Sequence, residues 1–267
     1  MIKQIEPQQF IEPLVELAIM AGEDILKVYA TDFNIQEKND GSFLTQADMA
    51  SHHRIYQGLK ALTPNIPILS EESGLPTFVE RSQWQRYWLV DPLDGTKEFV
   101  NRNGEFTINI ALIEASRPIF GVVYVPVINK IYFGCANYGA ECRSDGSDWE
   151  KISVAKKSAE PVRIVGSRSH RGSSLDEFLE KLGKYEMHPM GSSLKFCLVA
   201  EGKADIYPRF GPTSEWDTAA AQAVVEQAGG SVVTLDGKPL LYNRKSDILN
   251  AHFLVIGGKD RDWLRMV

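Results

Sequence analysis

The chain has 267 residues, of which 43% are hydrophobic and 24% charged, and a net charge of −6. That is enough length and apolar content to bury a substantial core, and an acidic balance without a dense basic stripe argues against a groove for a nucleic-acid polymer. Cys135, Cys142 and Cys197 form an odd set with no C-x-x-C pair, which indicates neither a disulfide framework nor a zinc site.

Apolar residues recur at helical spacing from Phe10 to Tyr29, and Ala47 to Leu62 predicts a second helix that stops before Thr63-Pro64. Strands are predicted at 66–70, 87–90, 106–113, 119–125 and 130–135, where alternation and β-branching are dense. The polar, turn-rich stretch 136–160 reads as a joint between an N-terminal lobe of residues 1–150 and a C-terminal lobe of residues 151–267, the whole forming one unit. Beyond it the pattern predicts a strand at 162–166, helices at 173–182 and 192–201, and a strand at 204–207. A helix at 217–228 closes on Gly229-Gly230 and is followed by strands at 231–234 and 252–256. Helices and strands in this succession suit a layered, mixed α/β sandwich.

The chemistry concentrates where apolar segments begin or end. W-L-V-D-P-L-D-G-T-K-E-F runs an apolar strand into Asp91, Pro92, Leu93, Asp94, Gly95 and Thr96. Pro92 stiffens the turn, the Leu93 carbonyl is free to act as an oxygen ligand, and Gly95 permits a tight bend. Mg²⁺ prefers oxygen ligands and is usually held by a few carboxylates together with water and phosphate. Further carboxylates stand at Glu71, after I-P-I-L-S, at Asp217 in S-E-W-D-T-A-A, and at Asp48 in L-T-Q-A-D. Singly, each has a plainer reading: Asp91 and Asp94 as turn residues, Asp217 and Asp48 as helix caps, Glu71 as a solvated strand end. Jointly they predict a site for divalent cations.

Three of these segments resemble the acidic motifs of the lithium-sensitive inositol monophosphatase superfamily: L-S-E-E-S-G at 69–74, W-L-V-D-P-L-D-G-T-K-E-F at 88–99 and W-D-T-A-A at 216–220. The stretch around Asp48 is similar to the upstream T-x-A-D element, with Gln46 where many relatives carry a small residue. Within the superfamily G-S-R-S-H (166–170), G-S-S-L-K-F (191–196) and Y-P-R-F-G-P-T (207–213) resemble the CysQ-type 3′(2′),5′-bisphosphate nucleotidases. The resemblance covers nearly the whole chain. It implies an α-β-α-β-α sandwich of the sugar phosphatase type and a single catalytic unit, with most metal ligands in the first lobe.

It also implies roles. Glu71, Asp91 and the Leu93 carbonyl would hold a first Mg²⁺, and Asp91, Asp94 and Asp217 a second, with Asp91 bridging. Thr96 and Glu71 would orient the attacking water, and Asp48 would assist that step or help bind a weaker third ion. Gly95 and Thr96 offer backbone N–H groups to a phosphate. Gly191, Ser192, Ser193 and Lys195 would take a second phosphate, while Arg168, His170 and Arg209, beside Asp217, would contact the rest of the substrate.

The expected reaction is Mg²⁺-dependent removal of the 3′-phosphate of adenosine 3′,5′-bisphosphate, giving AMP and clearing a by-product of sulfate assimilation. An inositol or sugar monophosphatase is the alternative of the same class, and a non-catalytic divalent-metal-binding protein the alternative of another. No run approaches the roughly 18 apolar residues of a membrane span, and M-I-K-Q-I-E-P-Q-Q-F lacks a signal-peptide profile. The expected location is the cytoplasm, with peripheral association at the inner face of the membrane left open. Oligomeric state has no sequence signal.

Overall fold

Side chains along a strand alternate between faces, and here the two faces feed two different cores. A computed structural model describes residues 6–37, 43–166 and 173–267. After a 3-10 turn come the helix α1 (Ile11–Tyr29), the short antiparallel pair β1 (Ile35–Glu37) and β2 (Phe43–Thr45), and the helix α2 (Gln46–Leu62).

The first sheet is built from β3 (Ile68–Ser70), β4 (Arg86–Asp94), β5 (Thr107–Glu114), β6 (Arg117–Val125), β7 (Lys130–Cys135), β8 (Gly139–Arg143) and β9 (Glu150–Lys151), in that order. Only its first pair, β3 with β4, is parallel. Two short helices interrupt it, α3 (Phe78–Arg81) and α4 (Thr96–Val100).

The second half of the chain runs β10 (Val162–Gly166), α5 (Ser173–Leu182), β11 (Tyr185–Pro189), α6 (Leu194–Ala200), β12 (Ile206–Arg209), α7 (Ala219–Gln227), β13 (Ser231–Thr234) and β14 (Phe253–Ile256). Its strands form a sheet of order β11-β10-β12-β14-β13.

Trp88, Val90, Ile108, Ile110, Phe120 and Val122 join Leu14, Ala18, Ile25, Ile55 and Leu59 of α1 and α2 in one core. The alternate residues Leu89, Ala111 and Val123 face α6 and α7, which in turn pack on Val165, Tyr207, Phe253 and Val255 of the second sheet. Ile164, Ile206 and Leu254 point the other way, onto Phe178 and Leu179 of α5. The result is an α-β-α-β-α stack, the layering expected from the family resemblance.

The middle layer is drawn close because small residues line it. A Cβ added at Gly121 would stand 2.2 Å from the Ala220 carbonyl oxygen, and one at Gly134 would stand 2.4 Å from that of Ala223. α7 itself is alanine-rich on this side. Backbone therefore approaches backbone, and the position of α7 is set to within a methyl group.

One expectation is corrected, and three strands were not predicted. The stretch 136–160 is not merely a joint, since it supplies β8 and β9 at one edge of the first sheet. β11 lies at an edge of the second sheet, is half-exposed and ends on Pro189, so it carries neither an alternating pattern nor a need for every N–H. β1 and β2, three residues each, are too short to show a period. The three cysteines are free and buried, as their spacing implied. Among the described residues no helix is long and apolar enough to cross a membrane.

Candidate active site

The predicted turn at Asp91-Pro92-Leu93-Asp94 is instead part of β4, which continues through Asp94. Asp91 is partnered with Asn109 and Asp94 with Thr107, so three steps on β4 oppose two on β5. This is a β-bulge, and Pro92, which has no N–H to offer, is tolerated at such an irregularity. In a regular strand residues three apart point to opposite faces. The extra residue turns both carboxylates to the same face, the one covered by α6 and α7, while Leu93 goes into the opposite core.

β3 brings Glu71 alongside. Its parallel register aligns Ser70 with Val90, so the chain leaves the sheet at Glu71 next to Asp91. From the other side α2 presents Asp48, Ser51 and His52 on one buried face. Ser51 Oγ donates to the Pro92 carbonyl at 2.8 Å and fixes the bulge. Asp48 closes a capping box, accepting from the Thr45 N–H at 2.7 Å through Oδ2. Its Oδ1 accepts from the Thr96 hydroxyl at 3.2 Å, and the Leu93 carbonyl stands 3.3 Å from the same hydroxyl. The partner of Thr96 is thus Asp48. Thr96 is the first residue of α4 rather than its cap, which is Gly95 in the left-handed region at φ 91.

Asp94, Gly95, Thr96, Gly191, Ser192, Ser193, Lys195, Arg209 and Asp217 line one cleft of about 430 Å³, with Asp91 buried beneath it. α7 starts at Ala219, so Asp217 lies in the turn before it, where its Oδ2 accepts from the Ser214 N–H at 3.0 Å. Ser193 serves Asp94: its backbone N–H donates to Asp94 Oδ2 at 2.6 Å, and its hydroxyl donates to Asn109 Oδ1 at 2.8 Å. Ser193 also lines the cleft.

The Lys195 ammonium donates to the Ser192 carbonyl at 2.6 Å and sits over the Tyr207 ring. This bond holds Ser192 in the left-handed region at φ 45, which is strained for a residue with a Cβ. Ser192 Oγ is buried with no partner among the described residues. Gly191 gives its N–H to Glu105 at 2.8 Å, and an added Cβ would meet the Glu105 carbonyl oxygen. Arg209 is held by Thr213 and the Pro212 carbonyl. Arg168 and His170 lie outside the described residues.

The carboxylates feel one another. Burial, then repulsion from Glu71, Asp94 and Asp217, holds Asp91 well above the usual carboxylate range. Burial followed by Asp94 and Glu71 does the same to Asp217. Asp94 is pushed up to about 6 by burial, against the pull of Lys195 and the Ser193 N–H. Asp48 is raised by burial, with a small contribution from Glu71. Burial lowers Lys195 to about 8.

Among the described residues no three His, Cys, Asp or Glu side chains are gathered closely enough to hold a metal ion as they stand; Asp94 and Asp217 line the cleft, and Asp48, Glu71 and Asp91 are not among its lining residues. The donor set suits a hard divalent cation: it is all oxygen and it includes the Leu93 backbone carbonyl, whose one contact is the long one from the Thr96 hydroxyl among the described residues.

Asn109 and Thr107 were missed by sequence reasoning. Thr107 and Asn109 Nδ2 both reach Asp94 Oδ2, at 3.4 Å each. Their signal was available: two polar residues at alternate positions of an otherwise apolar strand, T-I-N-I-A-L-I. Glu105 and Tyr207 carried no comparable mark.

The profile of the inositol monophosphatase family matches residues 6–259, and the chain belongs to that family of phosphomonoester hydrolases. It is 48% identical over 252 residues to the 3′(2′),5′-bisphosphate nucleotidase CysQ of Salmonella typhimurium, covering 92% of this chain and 98% of the relative. Identity to the nucleotidase CysQ of Haemophilus influenzae is 31% over 257 residues, 96% of each chain. Among solved structures CysQ from Bacteroides thetaiotaomicron superposes with a TM-score of 0.82 at 39% identity, covering 95% of this chain and 98% of that one. The inositol monophosphatase of Anabaena (Nostoc) sp. gives 0.74 at 23% identity over 97% and 95% of the two chains, a likeness of fold alone.

Proposed function

We propose that the chain is a Mg²⁺-dependent 3′(2′),5′-bisphosphate nucleotidase that releases the 3′-phosphate of adenosine 3′,5′-bisphosphate, leaving AMP, in the cytoplasm and in the service of sulfate assimilation. The observation that carries this reading is a single cleft lined both by Asp94 and Asp217 and by Lys195 and Arg209. A monophosphate would have less use for the two cations. The likeness to CysQ nucleotidases over nearly the whole chain points the same way.

Glu71, Asp91 and the Leu93 carbonyl would hold one Mg²⁺, and Asp91, Asp94 and Asp217 a second. Bound there, the ions supply Lewis-acid polarisation of the phosphoryl group and neutralise the charge that builds on the departing oxygen. The protein's own part is to place and deprotonate water. Because the Thr96 hydroxyl donates to Asp48, its lone pairs face outward to accept a proton from water, and the raised pKa of Asp48 suits it to take the proton onward. Both Asp48 oxygens are engaged within the protein, which favours this role over that of ligand to a third ion. Lys195 and Ser192 Oγ, which line the cleft, would meet the second phosphate of the substrate.

Phosphate release from adenosine 3′,5′-bisphosphate and from inositol 1-phosphate, each with and without Mg²⁺, tests the reading. A clear, Mg²⁺-dependent preference for the nucleotide is expected. Preference for the inositol ester would overturn it.

A further inference from the structure

Arg81 is fully buried at the end of α3, outside the cleft. It lies downstream of Glu71 on the segment that links β3 to β4. Its Nη1 donates to Asn243 Oδ1, its Nη2 donates to the carbonyls of Lys245 at 2.9 Å and Ser246 at 2.5 Å, and its own carbonyl accepts from Asn243 Nδ2 at 2.5 Å. Asn243, in the left-handed region at φ 56, gives its backbone N–H to both carboxylate oxygens of Glu215 at 2.9 Å.

Glu215 is two residues before Asp217. Its N–H donates to the Ile248 carbonyl at 2.9 Å, and its carbonyl accepts from the Ala219 N–H at the head of α7 at 3.2 Å. Asn250 closes the loop, with Nδ2 donating to the Ser214 carbonyl at 2.8 Å and its N–H to the Thr213 carbonyl at 2.8 Å. A continuous run of hydrogen bonds therefore joins the segment carrying Glu71 to the turn carrying Asp217.

The segments that carry these two carboxylates are thus tied to each other behind the cleft through side-chain and backbone bonds at once. An apolar side chain would fill the Arg81 position at lower desolvation cost, but it could not bond both the side chain and the backbone of the 243–246 loop.

We propose that Arg81, acting through Asn243 and Glu215, is a positioning residue that sets the separation of Glu71 and Asp217 and hence the affinity of the cleft for Mg²⁺. The inference rests on the Mg²⁺ reading above. It is tested by calorimetric titration of Mg²⁺ alone into the wild type, Arg81→Lys and Asn243→Gly, with thermal melts and with kcat measured across Mg²⁺ concentrations. Asn243→Gly keeps the backbone donor to Glu215 and accepts the positive φ, so it remains informative if the Arg81 variant does not fold.

Both variants are expected to bind Mg²⁺ about tenfold or more weakly, with kcat recovering toward wild type at saturating Mg²⁺. A merely structural role would lower the melting temperature and leave the Mg²⁺ affinity of the folded protein unchanged. Wild-type affinity in folded Asn243→Gly overturns the strap alone, whereas a wild-type protein that binds no Mg²⁺ overturns the proposed function with it.

Discussion

Among the described residues the hydrogen-bond partners of Asp94 are donors: the Ser193 N–H, the Thr107 hydroxyl and the Asn109 amide. Its outer face is left to the cleft. Asp94→Asn keeps an oxygen for the Ser193 N–H and so keeps the fold, but removes the charge; turnover at fixed Mg²⁺ is expected to fall by about a hundredfold or more, with an unchanged circular dichroism spectrum.

Lys195 invites a different experiment. Its pKa of about 8 leaves the ammonium charged at neutral pH and uncharges it as pH rises through that value. Since kcat/KM reports on the free enzyme, its value for adenosine 3′,5′-bisphosphate should decline above pH 8. The decline should be absent for adenosine 3′-monophosphate, which has no second phosphate to place, and absent for Lys195→Met with either substrate.

At the scale of the element the decisive feature is the bulge in β4. From D-P-L-D-G alone the segment reads as a turn after a strand of residues 87–90, because Pro and Gly are turn residues in isolation. Only the pairing of Asp91 with Asn109 and Asp94 with Thr107 shows that the strand carries on with one residue too many. A bulge is a relation between two strands, and one strand's sequence does not contain it.

The Gly121 and Gly134 contacts are of the same kind, two glycines in strands whose meaning lies in a helix about a hundred residues later. Gly121→Ala would push its Cβ into the Ala220 carbonyl and lift the head of α7. The expected cost is about 1–3 kcal/mol in a denaturant titration, together with weaker Mg²⁺ binding, because Asp217 rides on that end of the helix.

For the whole molecule, the acidic cleft is a liability that a cation relieves. A carboxyl whose folded pKa exceeds its unfolded value binds more protons in the native state, so its ionisation destabilises the fold. Asp94, raised from 3.8 to about 6, contributes a loss of stability as pH climbs through that interval, and Asp91 and Asp217, which burial and their neighbours also raise, add to the loss. Melting temperature in chelator should therefore fall between pH 4 and pH 7. Added Mg²⁺, which binds the native state, should raise it by more at pH 7 than at pH 4. An equal rise at both values would contradict the coupling of these groups to the metal.

The amino-acid sequence alone determined the long helices, most of the inner strands and the identity of the carboxylates, because periodicity and short acidic motifs are local properties that survive without a partner; the edge strands and the short helices carry no such period. The pairing of Thr96 with Asp48, the bond from Ser193 to Asp94, the support from Asn109 and the hydrogen bonds of Arg81 to the 243–246 loop were decided by the tertiary structure. Each joins residues far apart in the chain, and a contact between distant segments exists only once packing has brought their backbones together.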